Sequence, residues 1–479
     1  WPIKLISGDD FYMQPCWHPD GKSIAWISWN HPQMPWDGTT LNLGTMRATG
    51  NNLVLGDIVP IAGDENTSVF QPQFSPDGRY LAYVSDSDGW WQLYLYDLDR
   101  GEHTVLTGER AEHGLPAWVQ GLRTFDFSPD GSSIYYLRNQ GGSVDLCRLD
   151  IASKKGDRIP IEGGYSWFSQ VTVSPDGEQV ALIASGGSIP SRVIVHHLKL
   201  GTRVFRRSLP EDLPSQTYAQ PQSITWKGMD GAEVYGLYYP PVSETCEGVG
   251  KPPLMVLVHG GPTSQRGSSF DGQAQYFTSR GWSVLQVNYR GSTGYGREYR
   301  DMLKGNWGIY DVQDSVSGAK HLVEAGYVDG GKVVIMGGSA GGFTVLKALE
   351  DYPGFFKAGI CLYGVANQFT LVADTHKFEE RYSDSLLGPL PESASLYRER
   401  SPIFFADKIR DPIAIFQGED DKVVPRNQSD EIVAALCQNN VPHEYHVYPG
   451  EGHGFRKTET IEEFYTTLER FLRQAVIFA

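Results

Sequence analysis

Three side chains in this 479-residue sequence could together break an acyl bond, and none of them could do so alone. Ser339 sits in Gly337-Gly338-Ser339-Ala340-Gly341, between the apolar run Lys332-Val333-Val334-Ile335-Met336, which reads as a central strand, and residues 343–349, which read as helix. So abrupt a turn lifts the hydroxyl clear of the backbone, and glycines must flank it because a nearby Cβ would strike the strand or the helix. In a chain with 54 glycines the pattern is weak by itself. A serine becomes a nucleophile only when a base takes its proton and a carboxylate orients that base.

Both partners occur downstream. Pro412-Ile413-Ala414-Ile415-Phe416-Gln417 reads as a core strand ending in Gly418-Glu419-Asp420-Asp421-Lys422-Val423-Val424-Pro425, so a carboxylate stands at a strand's C-terminal end, where open α/β sheets keep their sites. Asp421 fits by its spacing from Gly418 and from Val424-Pro425, with Asp420 as the fallback. His443-Glu444-Tyr445-His446-Val447-Tyr448 alternates as a strand does and leads to Gly452-His453-Gly454, where a histidine between glycines can swing toward the serine. Any one of the 12 histidines is more simply a surface or core residue. The order Ser339, Asp421, His453 is what singles out His453, because it is the chain order of α/β-hydrolases and not that of chymotrypsin or subtilisin.

Upstream, Leu254-Met255-Val256-Leu257-Val258 reads as a strand followed by His259-Gly260-Gly261-Pro262. A backbone N–H in that loop, from Gly261, and that of Ala340 are the expected oxyanion donors; one such donor is worth about 3–4 kcal/mol at the transition state. The surrounding elements alternate as a doubly wound, mostly parallel sheet requires: strands at 282–289, 332–337 and 359–363, a helix over most of 308–326, and Ile461, Phe464, Leu468, Phe471, Leu472 and Ala475 at helical spacing.

The first half of the chain has a different texture. Trp17-His18-Pro19-Asp20-Gly21, Phe74-Ser75-Pro76-Asp77-Gly78, Phe127-Ser128-Pro129-Asp130-Gly131 and Val173-Ser174-Pro175-Asp176-Gly177 recur at intervals of 46 to 57 residues, each followed by an alternating strand. Such turns at near-regular spacing predict propeller blades, about four of them; an all-β sandwich explains the strands but not the recurring Pro-Asp-Gly. The repeat stops between about 215 and 222. The expected architecture is therefore two domains: a β-propeller over 1–218, incomplete in its blade count, and an α/β-hydrolase over 219–479.

Together these motifs, with Asn288-Tyr289-Arg290-Gly291-Ser292-Thr293-Gly294-Tyr295-Gly296 and Gly452-His453-Gly454-Phe455, resemble the prolyl oligopeptidase family of serine peptidases over nearly the whole chain, and most closely its acylaminoacyl-peptidase and dipeptidyl-aminopeptidase-like branch. The resemblance implies a propeller that admits short peptides and rejects folded proteins, a reaction through an acyl-enzyme, and neither metal nor organic cofactor. Two features depart from it. Acylaminoacyl-peptidases often carry arginine two residues after the aspartate, where this chain has Val423, so recognition of an N-acyl group does not carry over. The family's propeller usually has seven blades, and an opening Trp1 in place of methionine favours truncation or processing.

With 57 acidic against 41 basic side chains, a net charge of −16 disfavours nucleic acid and anionic membranes as partners. Five scattered cysteines, Cys16, Cys147, Cys246, Cys361 and Cys437, without C-x-x-C spacing, read as reduced thiols of a cytoplasmic protein. No apolar run is long enough to span a membrane. A homo-oligomer is left open. The competing functions are a carboxylesterase with the same triad and a binding scaffold whose hydrolase half is inactive. The segment 367–400 is expected to wall the pocket. Within it, Thr375-His376-Lys377-Phe378-Glu379-Glu380-Arg381-Tyr382 resembles a recurring family stretch and reads as a structural loop.

Overall fold

Each Pro-Asp-Gly turn joins the first two strands of a four-stranded antiparallel sheet in the computed structural model, which describes residues 3–50, 52–211, 217–245 and 248–479. The sheets follow one another along the chain: β1–β4 (Phe11–Trp17, Ser23–Trp29, Thr40–Thr49, Asn52–Ala62), β5–β8 (Val69–Phe74, Tyr80–Ser85, Gln92–Asp97, Glu102–Val105), β9–β12 (Phe125–Phe127, Ser133–Gln140, Ser143–Asp150, Lys155–Arg158) and β13–β16 (Trp167–Val173, Gln179–Gly186, Ile189–His197, Gly201–Arg207). Strands within each sheet lie side by side in sequence order, as in propeller blades. Four blades are thus present among the described residues, matching the four turns. Part of the boundary zone, residues 215 and 216, and Cys246 lie outside the described residues.

The turn recurs because its polar groups satisfy one another. Ser75 Oγ donates to Asp77 Oδ1 at 2.6 Å and accepts from Tyr80 N at 2.9 Å, while Arg79 N donates to the same carboxylate. Ser128 with Asp130 and Ser174 with Asp176 repeat the pattern at 2.6 and 2.5 Å. A second repeat escaped the sequence reading. Gln14, Gln71 and Gln170 adopt φ of 51°, 50° and 58° at bulges in β1, β5 and β13. Gln14 Oε1 accepts from Gln71 N at 2.7 Å, and the Gln71 amide in turn reaches Thr124 N and Phe125 O, so blade is tied to blade through side chains near the first strands.

The chain divides into two compact units: residues 1–212 with 267–270 and 293–298, and residues 213–266, 271–292 and 299–479. The second unit is built on one sheet of β17 (Gln222–Lys227), β18 (Glu233–Tyr239), β19 (Leu254–Val258), β20 (Ser283–Asn288), β21 (Val333–Gly338), β22 (Ala358–Leu362), β23 (Ile413–Gly418) and β24 (His443–Tyr448). Its order is β17-β18-β20-β19-β21-β22-β23-β24, antiparallel at the first two pairings and parallel across the rest. This is the doubly wound, mostly parallel sheet expected. The strands β19, β22 and β23 are buried along their whole length, which is why they read as unbroken apolar runs.

Chain direction across the sheet reverses between β19 and β21: β20 lies on one side of β19 and β21 on the other. Loops leaving adjacent strands at such a point diverge and open a crevice at the strands' C-terminal ends. The two loops here are His259-Gly260-Gly261-Pro262 and the turn at Ser339. Phe464, Leu468, Phe471 and Leu472 of the helix Thr458–Leu472 pack into the core with Phe416, Met336 and Leu257. The expected apolar stripe is therefore core. Among the described residues no helix is long and apolar enough to cross a membrane.

Candidate active site

Ser339 lies between β21 and the helix Ala340–Asp351 with φ 58° and ψ −123°, a conformation that a residue with a Cβ adopts only under strain of about 1–3 kcal/mol. The neighbours hold it there. A Cβ on Gly341 would meet Val258 O at 2.4 Å, one on Gly337 would meet Gly341 O at 2.4 Å, and one on Gly342 would meet the Gly364 Cα at 2.6 Å. Ser339 N donates to Leu362 O at 3.0 Å, and its carbonyl accepts from Phe343 N, which starts the helix. Thr344, one turn on, donates to the buried carboxylate of Asp311, which also accepts from Gly308 N. Burial pushes the Asp311 carboxyl up to about 6, against the pull of those hydrogen bonds.

The glycine loop after β19 approaches the elbow closely: a Cβ on Gly260 would lie 3.0 Å from Gly338 O and 3.3 Å from Ser339 Cβ. Its bracing explains the Asn288-to-Ser292 part of the motif that sequence reasoning could quote but not interpret. Asn288 clamps the Arg266 backbone, accepting from its N at 2.7 Å and donating to its O at 2.9 Å. Tyr289 stacks on His259 with ring centroids 4.3 Å apart and reaches Pro262 O at 3.0 Å, while Ser292 Oγ contacts His259 Nε2 at 2.8 Å. Burial drives the His259 imidazole down to about 3, so it stays neutral and braces the loop. Arg290 anchors the motif through Asp314, at 2.6 Å with both side chains buried.

Asp421 and His453 meet from neighbouring strand ends. Asp421 Oδ1 accepts from Val423 N and Val424 N, each at 2.9 Å, and its Oδ2 lies 2.7 Å from His453 Nδ1. The aspartate side chain is wholly buried and the imidazole about a quarter exposed. Asp420 is exposed, its backbone N–H donating to Glu451 O; the geometry thus selects Asp421 over the fallback as the histidine's partner. A Cβ on Gly418 would strike Gly452 O at 2.2 Å, so the two loops lie in direct contact. Tyr363, at φ 37° after β22, lays its ring 4.7 Å from that of His453 and against Phe455. A lone aromatic after a strand gives no warning of such a role in the sequence.

Ser339, Ala340 and Gly261 line one cavity with Trp307, Val365, Val423 and Val424. Leu371, Val372, Thr375, Glu379, Tyr382 and Ser383 complete its wall, as expected for the segment 367–400. The stretch from Thr375 to Tyr382, read as a structural loop, is however part of the pocket. Tyr382 Oη is tied to Thr263, within 3.1 Å of its N and 2.6 Å of its Oγ1, and this long-range contact is what brings the stretch to Ser339. Among the described residues no group of three or more His, Cys, Asp or Glu is placed to hold a metal ion. Cys16, Cys147, Cys361 and Cys437 are free thiols.

A profile described as the prolyl oligopeptidase family matches residues 268–477, and one described as the TolB beta propeller domain matches 2–217. Dipeptidyl aminopeptidase BIII of Pseudoxanthomonas mexicana is 35% identical over 419 residues, 84% of this chain and 58% of that protein. Dipeptidyl peptidase family member 6 of Caenorhabditis elegans is 37% identical over 232 residues, 47% of this chain and 31% of that protein. A solved structure of a puromycin-hydrolyzing peptidase from Mycobacterium tuberculosis aligns with a TM-score of 0.93 at 33% identity, covering 99% of this chain and 71% of that one. The chain spans less than two thirds of the length of these curated relatives.

Proposed function

The chain belongs to the prolyl oligopeptidase family, and from that premise we propose that it is a serine peptidase acting on short peptides through an acyl-enzyme. Ser339 Oγ adds to the scissile carbonyl carbon as His453 Nε2 takes its proton. Asp421 holds Nδ1–H and stabilises the imidazolium that forms. The carbonyl oxygen becomes an oxyanion between the N–H groups of Gly261 and Ala340. When the tetrahedral adduct collapses, the C–N bond breaks and His453 returns the proton to the leaving amine. Water then repeats the sequence at the ester carbon and frees Ser339.

The observation that carries this reading is the 2.7 Å contact between the Asp421 carboxylate and His453 Nδ1. A buried carboxylate at Nδ1 fixes the tautomer in which Nε2 bears the lone pair, which is the form a general base requires. A reducing compartment, the cytoplasm, is proposed with it because it suits the four free thiols.

The test is labelling with a fluorophosphonate followed by turnover of peptide p-nitroanilides, N-acyl-amino-acid amides and simple esters. Ser339 alone should be labelled, and p-nitroanilides should be cleaved with kcat/KM well above that for amides of acylated residues. Labelling at another serine removes the assignment. Turnover confined to esters replaces a peptidase with a carboxylesterase, and labelling without turnover of any substrate leaves a scaffold.

A further inference from the structure

At the far end of the helix that Ser339 starts lies a second cavity, of about 370 Å³, which catalysis as described does not use. Its walls come from the start of the helix Tyr310–Glu324, the end of the helix Ala340–Asp351, the turn at Glu399-Arg400 and the segment Pro402–Lys408, all in one unit. It shares no lining residue with the cavity at Ser339, although Trp307 lines that one and the next residue, Gly308, lines this one. Six of its lining residues are charged: Lys347, Arg400 and Lys408 against Glu350, Asp351 and Glu399. So even a balance favours neither a simple cation nor a simple anion.

Two of these groups are buried with part of their bonding capacity unused. The Glu350 side chain is 2% exposed; its Oε1 accepts from Lys347 Nζ at 2.9 Å and lies 3.9 Å from Lys408 Nζ, while its Oε2 has no hydrogen-bond partner among the described residues. The Arg400 side chain is 9% exposed; its Nη1 donates to Glu399 Oε1 at 2.6 Å, while its Nε–H has no such partner. Burial pushes the Glu350 carboxyl up to about 7, against the pull of Lys347, and a further cation beside it would complete its ionisation. An unused carboxylate oxygen and an unused guanidinium N–H cost free energy that a ligand bringing one donor and one acceptor would recover.

Resting on the peptidase reading above for the origin of its ligand, we propose that this cavity binds a small zwitterion, a free α-amino acid or dipeptide, with its ammonium at Glu350 and its carboxylate at Arg400. Cleavage near the end of a short peptide releases such molecules, so the site takes a product of the reaction at a place apart from Ser339. A cavity of this size is at the small end of those that hold small molecules. Ile309, Val312 and Phe405 give it an apolar wall, which suits an apolar side chain on the ligand. A ligand with either end blocked leaves one of the two buried groups unmatched.

The experiment is isothermal titration calorimetry of the full chain after fluorophosphonate has blocked Ser339, with leucine, leucyl-leucine, leucinamide and N-acetyl-leucine. Leucine and leucyl-leucine should bind at one site, the tighter of the two naming the source of the zwitterion. Leucinamide, which lacks the carboxylate, and N-acetyl-leucine, which lacks the ammonium, should each bind about 10-fold or more weakly than leucine, as loss of a hydrogen bond between charged groups commonly costs. Glu350→Gln should erase the difference between leucine and N-acetyl-leucine, and Arg400→Gln that between leucine and leucinamide. Equal affinity of the wild type for all four, binding of a blocked compound alone, or no binding up to the solubility of leucine would overturn the proposal. So would a uniform loss across the four ligands in both variants, which would make Glu350 and Arg400 structural residues. The wild-type series decides by itself if a variant fails to fold. Failure of fluorophosphonate to label Ser339 brings down the peptidase reading, and titration of the unlabelled chain still tests this one.

Discussion

The two units each hinge on a tight glycine turn, and the glycines serve opposite needs. In the blades, Gly131 has φ +69°, and a Cβ there would make only ordinary contact, 3.7 Å from Pro76. The turn needs the dihedral and has the space. At the elbow, Gly341 has no unusual φ, yet its Cβ would drive into Val258 O at 2.4 Å; the turn needs the space and has no difficulty with the dihedral. The residue with the dihedral problem there is Ser339, whose hydroxyl is the proposed nucleophile. The blade turn relieves its strain with a glycine, and the elbow retains it at Ser339 and packs the neighbourhood to keep it.

The largest effect that sharpens this contrast is chemical. Ser339→Ala should keep the fold and lower kcat by about 10⁵–10⁶. Ser339→Gly should be equally inactive but more stable, by about 1 kcal/mol, as relief of backbone strain outweighs the added chain entropy. Thermal denaturation of the pair decides it; a glycine variant no more stable than the alanine one would mean that the elbow is not strained.

Next is the acid. Asp421→Asn should reduce kcat about 10⁴-fold by favouring the wrong imidazole tautomer, while the exposed Asp420→Asn should change it little. Steady-state kinetics with the reverse ranking would detach Asp421 from His453.

Gly341→Ala and Gly131→Ala test the two kinds of turn directly. The first should destabilise by about 1–3 kcal/mol through overpacking, and should also lower kcat about 10²-fold by displacing Ser339 from the glycine loop. The second should cost about 1–2 kcal/mol for a left-handed residue with a Cβ and leave kcat unchanged. Equal losses of activity in both would erase the distinction.

The smallest effect is a difference in pH response between aspartates of the two units. Hydrogen bonds, first from Ser128 Oγ and then from Ser132, hold Asp130 down near 2, so its contribution is present above the ordinary value of 3.8 and lost as pH falls through about 2. Asp311, raised to about 6 by burial, behaves oppositely: its contribution is full below 3.8 and is lost as pH rises through about 6. Melting temperatures of Asp130→Asn and Asp311→Asn against wild type should therefore diverge at opposite ends, the wild type losing ground to Asp311→Asn between pH 4 and 6 and its lead over Asp130→Asn only below pH 4. Parallel curves would mean that the two environments do not differ as described.

What could be read in the sequence was whatever local chemistry dictates. The turn at Ser128-Pro129-Asp130-Gly131 closes on itself within a few residues, so its type and position were legible, as were the buried strand β19 and the half-buried, alternating strand β24, located to the residue. The elbow could be found because its strand, glycines and helix are contiguous. The bulge glutamines stayed hidden because Gln14 and Gln71 are partners 57 residues apart, and nothing local marks a glutamine for positive φ. Glu379 and Tyr363 reach the site only through contacts made by the folded chain, Tyr382 with Thr263 and the Tyr363 ring with His453, so neither carries a local signature.

The placement of His453 after β24, the last strand of the sheet, bears on how such a molecule is made. The elbow is synthesised 114 residues before the histidine. At about 5–20 residues per second, a chain still on the ribosome carries its serine without a base for roughly 6–23 s. With His453 as the proposed base, the chain can open no peptide bond during that interval, either in itself or in the unfolded chains growing beside it. On the proposed mechanism, activity waits until β24 joins the sheet and brings His453 to Asp421, so the order of these residues along the chain places the base after the nucleophile.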